Sequence, residues 1–187
     1  MMLLALAVLP GVFWEGAPSK APALRESGVH HIFVAPDQVE AWKKVEDIVA
    51  EAVDLNLSMK LKSPAVNYRF EQASASRVPW IDANGWQFLR RPDGRYYYDA
   101  AGERAAIAAA EAFAWHARAN VKTDDAGLPS LARMLAFLRA LPDVEGQPVA
   151  DIGFADDGSA VAGEVMNLLV RGNLLFRATQ APDPKLK

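Results

Sequence analysis

Six short apolar runs recur along this chain, and all but the third and the last are followed by a helical segment. The runs are residues 11–15 (GVFWE), 30–35 (HHIFVA), 57–61 (LSMKL), 121–123 (VKT), 149–154 (VADIGF) and 175–179 (LFRAT). Runs of this length that are mostly apolar, as at 30–35 and 149–154, fit strands covered on both faces, not strands with one wet face. Strands that alternate with helical segments need crossover connections, and crossovers make parallel neighbours. The pattern therefore predicts an α/β fold: parallel strands with crossover helices.

The helical segments carry their own punctuation. Asp37 stands as N-cap before a helix with Glu40 three residues on, and Val39, Trp42, Val45, Ile48, Val49 and Ala52 fit its spacing. Asp99 caps an alanine-rich helix from Ala100 to about Ala117, with Ile107, Ala110, Phe113 and Ala114 able to face a sheet. A third helix covers 128–141, with Leu131, Met134, Leu135 and Leu138 on one face and Pro142 at its end. A fourth covers 161–170 and is closed by Gly172, and a short one at 22–27 is stopped by Gly28. Residues 86–90 and 95–98 are placed to pair as a hairpin around Pro92-Asp93-Gly94.

Length limits what these elements can build. A closed eight-stranded barrel needs about 250 residues, and this chain has 187. Six strands are too few to close one, so the chain is either part of a longer protein or an open α/β sheet.

Composition removes several classes of chemistry. There is no cysteine, which excludes disulfides, thiolate nucleophiles and zinc–thiolate sites. His30, His31 and His116 have no metal-ligand spacing, so no metal and no cofactor are expected. Phosphate-binding glycine motifs are absent. A net charge of −3 gives no broad pull toward nucleic acid or anionic lipid. The opening MMLLALAVLPGVF is apolar but lacks a positive charge before the run, and it is too short to span a bilayer. It reads as a buried first strand, with an export leader as the alternative to a cytoplasmic protein.

In parallel α/β folds ligands gather at the C-terminal ends of the strands. The predicted strands end on Trp14-Glu15, on Lys60 and Lys62, on Lys122-Thr123-Asp124, and on Asp156-Asp157. Lys122 and Asp124 are two apart and so project to one face. On a barrel interior the lysine would lie deeper and the carboxylate nearer the mouth. A lysine beside it favours the ionised carboxylate. The preceding stretch, 79–125, holds three of the five tryptophans and three of the four tyrosines. Trp80, Trp86 and Tyr98 are candidate platforms for sugar rings, since aromatic faces stack on sugar C–H groups and Trp and Tyr add a polar handle. Tyr96 and Tyr98 share one side of a strand and Tyr97 the other. Each feature also has a plainer reading. Asp124 is placed to cap the helix near Leu128, Lys122 to reach solvent, Asp156-Asp157-Gly158 to form a capping turn, and the aromatic loop to pack on its own side chains.

Val121-Lys122-Thr123-Asp124 resembles the K-x-D strand end of α-galactosidase-like TIM-barrel glycoside hydrolases. The aromatic, Gly/Asp-rich loop before it, with Tyr98-Asp99 and a helix, also resembles that clan. The resemblance covers mainly residues 80–127. It implies a partial TIM-barrel-like domain over 1–145 and a retaining mechanism. Asp124 would be the nucleophile and Lys122 its neighbour. Asp156, the best-placed later carboxylate, would be the acid/base, although it lies in no matching motif. Glu15, Lys62, Trp80, Trp86, Tyr98 and Lys122 would contact a carbohydrate ligand. Residues 146–187 form either the last barrel strands or the start of another domain. The stretch from Asp151-Ile152-Gly153-Phe154 through Asn173-Leu174-Leu175-Phe176 resembles the opening βαβ of a glutamine-amidotransferase-like, flavodoxin-type domain. The expected function is hydrolysis or binding of carbohydrate. The alternative is a non-catalytic carbohydrate-binding or truncated scaffold.

Overall fold

A computed structural model describes residues 9–67, 80–142, 150–182 and 184–185. The chain divides into two compact units. The first is Met1–Ser63 with Asp93–Asp143, and the second is Pro64–Pro92 with Val144–Lys187. Each unit is built from two separated stretches, unlike the expected division into 1–145 and 146–187. The difference arises because the chain leaves the first unit over residues 64–92 and returns to it.

In chain order the first unit begins with β1 (Gly11–Phe13), α1 (Ala21–Glu26), β2 (His31–Val34), α2 (Val39–Trp42), β3 (Val49–Ala52) and β4 (Met59–Leu61). The second unit then contributes β5 (Ala65–Asn67), β6 (Trp80–Asp82) and α3 (Gly85–Arg90). The first resumes with β7 (Arg95–Asp99), α4 (Arg104–Ala114), β8 (Arg118–Lys122) and α5 (Leu128–Ala140). The second ends with β9 (Ile152–Ala155), α6 (Ala160–Arg171) and β10 (Phe176–Thr179).

Six strands of the first unit form one sheet in the order β3-β2-β1-β8-β7-β4, and every pair in it is parallel. The predicted α/β class with parallel strands and crossovers is what forms. The sheet is not a closed barrel: β3 and β4 are not paired, so it stays open between them. Its order also differs from a doubly wound sheet, where the fourth strand lies beside the first. Here the last strand of the sheet, β8, lies beside β1.

Strand pairing and alternation give this sheet two unlike faces. Val12, Ile32, Val34, Tyr96, Tyr98, Ala119 and Val121 are buried on one of them. α4 lies against that face through β7 and β8. Its stripe of Ala105, Ala108, Ala109 and Ala112 is fully buried. Methyl groups at this spacing let α4 approach both the sheet and α5, whose Leu128, Leu131, Leu135 and Leu138 are buried in turn. The other face carries Arg95, Tyr97 and Asp99 on β7, and Arg118, Asn120 and Lys122 on β8. Each of these is exposed or half-buried.

Three local expectations change. The helix expected over 37–52 is short, and its last residues are β3, paired in register with His31–Val34. The helix ends at Trp42, and Asp47, in the turn that leads into β3, takes a left-handed backbone (φ 62°). Residues 85–90 form helix α3 in place of the first arm of a hairpin. Residues 95–99 join the parallel sheet, and the turn at Pro92-Asp93 connects the two. Asp99 ends β7 and does not cap α4, whose N-cap is Glu103 with no side-chain cap.

In the second unit, β9 and β10 pair in parallel around α6, the βαβ expected at this end of the chain. Ser159 caps α6 by accepting from the Ala162 amide, and Gly172 ends it. β5 and β6 form a separate antiparallel pair. Gly163 on α6 lies against the Trp86 ring, where a methyl group would come within 3.0 Å. Phe88, Met166 and Phe176 are buried in this unit.

Candidate functional site

A row of alternating charges crosses four neighbouring strands at the C-terminal edge of the large sheet. Glu15 follows β1, Lys122 ends β8, Asp99 ends β7 and Lys60 lies on β4. Parallel pairing in register sets Phe13, Lys122 and Asp99 side by side, and Lys60 beside Tyr97. Residues paired this way point to the same face. Lys122 Nζ lies 2.9 Å from a Glu15 carboxylate oxygen, and Lys60 Nζ donates to Asp99 at 2.8 Å. Lys122 is the most enclosed member, with its side chain 27% exposed.

Lys60 and Asp99 set each other's ionisation. The hydrogen bond from Lys60 is the main reason the Asp99 carboxyl titrates below the ordinary carboxylate range. Partial burial opposes that, and the Lys122 charge reinforces it. Asp99 in turn raises Lys60. Exposed ion pairs add little to stability, so the row is not what holds the sheet together. Chemically it offers carboxylate acceptors and ammonium donors in alternation, each with hydrogen-bonding capacity left over.

Asp124 lies just beyond this row, with one carboxylate oxygen already engaged. That oxygen accepts from the Gly102 amide at 3.1 Å and from the Gly127 amide at 2.8 Å. These two bonds, Gly102 first, draw its pKa below the usual range. The carboxylate thereby ties the loop before α4 to the turn that starts α5. The close approach around Gly127 explains the glycine there, since a methyl group would collide with the Thr123 hydroxyl and lie 2.8 Å from the Gly102 carbonyl oxygen.

Asp156 belongs to the second unit, and Asp124 to the first. Within its unit Asp156 is clasped by Arg90, which donates to both carboxylate oxygens at 2.7 and 2.8 Å. The Gly158 amide donates to it at 2.9 Å. The guanidinium is the chief reason its pKa lies below the ordinary value. A general acid works with a pKa raised toward the working pH, and this environment shifts Asp156 the other way.

The aromatic candidates separate. Tyr98 is fully buried on the helix-covered face, with its hydroxyl donating to Glu111 of α4 at 2.6 Å. Trp86 sits on α3 near the Arg90 guanidinium (5.9 Å to the ring centroid) and against Gly163. It serves packing within the second unit. Tyr97, one position from Tyr98, is half-buried on the face that carries the charged row. Trp80 begins β6, but its side chain lies outside the described residues. Lys62 follows β4 and is exposed.

Of the residues singled out by sequence, Glu15 and Lys122 are brought together. Asp99 and Lys60 complete the row. Asp99 reads as a helix cap in the sequence, and only strand order reveals its role. Alternation along RYYYD was the available signal, because it puts Tyr97 and Asp99 on one face and Tyr96 and Tyr98 on the other. Among the described residues no group of three or more His, Asp or Glu side chains is arranged to hold a metal ion. No family model, curated protein or solved structure matches this chain.

Proposed function

We propose that this chain is a glycoside-hydrolase-related scaffold that binds carbohydrate at the C-terminal edge of its parallel sheet without hydrolysing it. The row Glu15–Lys122–Asp99–Lys60 carries the reading. A sugar hydroxyl both donates and accepts, and a row of alternating acceptors and donors suits neighbouring hydroxyls. Tyr97 adds an aromatic surface on the same face. The sheet order supports kinship with a TIM barrel. Except at β3 and β4, each strand of the large sheet neighbours the strands before and after it within that sheet, and β1 meets β8 as in a ring. Only the β3–β4 step is missing, so the order is that of a barrel left open at one seam.

The carboxylates favour binding over hydrolysis. A retaining pair needs a protonated acid about 5–5.5 Å from the nucleophile. Asp99, Asp124 and Asp156 are all held toward the ionised form, and Asp124 is occupied in tying two loops together. Titration of the protein with a panel of oligosaccharides, followed by amide NMR, tests the proposal. Binding is expected to perturb β7 and β8 and to weaken about tenfold in Asp99→Asn, the loss of one charge-assisted hydrogen bond. Asp124→Asn should lower the unfolding temperature and leave sugar affinity in place. If no oligosaccharide binds, the proposal fails. Turnover of aryl glycosides that disappears in Asp124→Asn would replace binding with retaining hydrolysis.

A further inference from the structure

On β4, β7 and β8 the face that carries the charged row is cationic, while the β1 and β3 side of the same face adds Glu15 and Glu51. Register places Lys60, Arg95, Arg118 and Lys122 on this face of β4, β7 and β8, with Asp99 as the single carboxylate among them. The whole chain is negative, at −3, so this excess does not follow from composition. Lys60 and Lys122 are ion-paired at the C-terminal edge. Arg95 and Arg118 are exposed, and among the described residues neither forms an ion pair. They stand directly opposite each other as the first residues of β7 and β8. Like charges opposed on neighbouring strands cost stability, and an anion seated between them removes that cost. Two guanidiniums side by side suit a carboxylate, which each can meet in a planar, two-bond geometry. Asn120 and Tyr97 are also paired in register, between the arginines and the charged row. The strip from the arginines to Lys122 and Asp99 is roughly 13 Å long at about 3.3 Å per residue.

From this arrangement we propose that the ligand is an acidic sugar chain, a uronate oligosaccharide. One carboxylate sits between Arg95 and Arg118, and the hydroxyls of the next sugars lie along Tyr97, Asn120 and the charged row. The inference rests on the carbohydrate reading above and narrows it to one substrate class.

Calorimetric titration with oligogalacturonate and with a neutral cello-oligosaccharide of equal length tests it, on the wild-type chain and on the Arg95→Gln/Arg118→Gln variant. Both substitutions are on exposed side chains, and thermal unfolding of the variant checks that it is folded. The acidic chain is expected to bind about tenfold more tightly than the neutral one, the scale of two partly exposed charge contacts. That preference should shrink as salt is added and vanish in the variant. Equal affinity for both sugars, or a preference that survives in the variant, overturns the inference and leaves the carbohydrate reading standing. If neither sugar binds, or if single-stranded DNA binds in their place, both are overturned.

Discussion

Asp156 shows how a residue's role can depend on a partner the local sequence does not reveal. Read alone, Asp156-Asp157-Gly158-Ser159 is a turn before a helix, and it is one: the Gly158 and Ser159 amides are held by Asp156 and Asp157. The stronger bond comes from Arg90, 66 residues away, which spans both oxygens of Asp156 and also donates to the Ser159 carbonyl. Both partners are about 15% exposed, so water does little to screen them. Asp156→Asn keeps the shape and removes the charge. It is expected to cost about 1–3 kcal/mol in urea unfolding near neutral pH. The pH dependence has a definite sign. The folded pKa of Asp156 is depressed, so its contribution is fully present above the unfolded value, near 4. It is lost as pH falls through the lower folded value. The difference between wild type and variant should therefore narrow in acid. A constant gap across that range would rule out the ion pair as its source.

Elements were legible where their periodicity was uninterrupted. The α5 and α6 stretches and the strands β1, β2, β8, β9 and β10 follow from apolar spacing and turn residues alone. β3 was hidden because Val45, Ile48, Val49 and Ala52 also fit a helix, and only pairing with β2 makes Val49–Ala52 a strand. α3 was hidden because Pro92-Asp93-Gly94 is a strong turn signal, and the turn joins a helix to a parallel strand instead of two hairpin arms. At β1 the constraint is steric. Gly11 lies under the Phe33 ring and the Asn120 amide, each paired across from β1, and a methyl group at Gly11 would collide with both. Gly11→Ala must displace a ring on one neighbouring strand or an amide on the other. A cost of about 1–3 kcal/mol is expected, as for overpacking a filled interior. Hydrogen exchange should show it as faster opening of β1, β2 and β8 together. An effect confined to β1 would mean that the neighbours yield without strain.

At the scale of the whole molecule, alternation of apolar runs and helices was enough to predict a parallel α/β protein. It could not predict strand order, because crossover connections are compatible with more than one neighbour. The ring-like order, with β8 beside β1, therefore had to come from the structure, and with it the charged row, whose members lie on β1, β8, β7 and β4. The division into units was equally hidden, since each is built from two separated stretches of chain. That division has a consequence for truncation. Residues 64–92 share their unit with 144–187, and α3 packs on α6 and β10. Removing 144–187 takes away the Asp156 partner of Arg90 and the Gly163 surface beneath Trp86. It leaves β1–β4, β7 and β8 with their pairing complete. The shortened chain is expected to keep slow hydrogen exchange in β1, β7 and β8 and to lose it in Gly85–Arg90, with tryptophan emission shifted to the red as Trp86 meets water. Loss of protection across the large sheet as well would show that the first unit depends on the second for its stability.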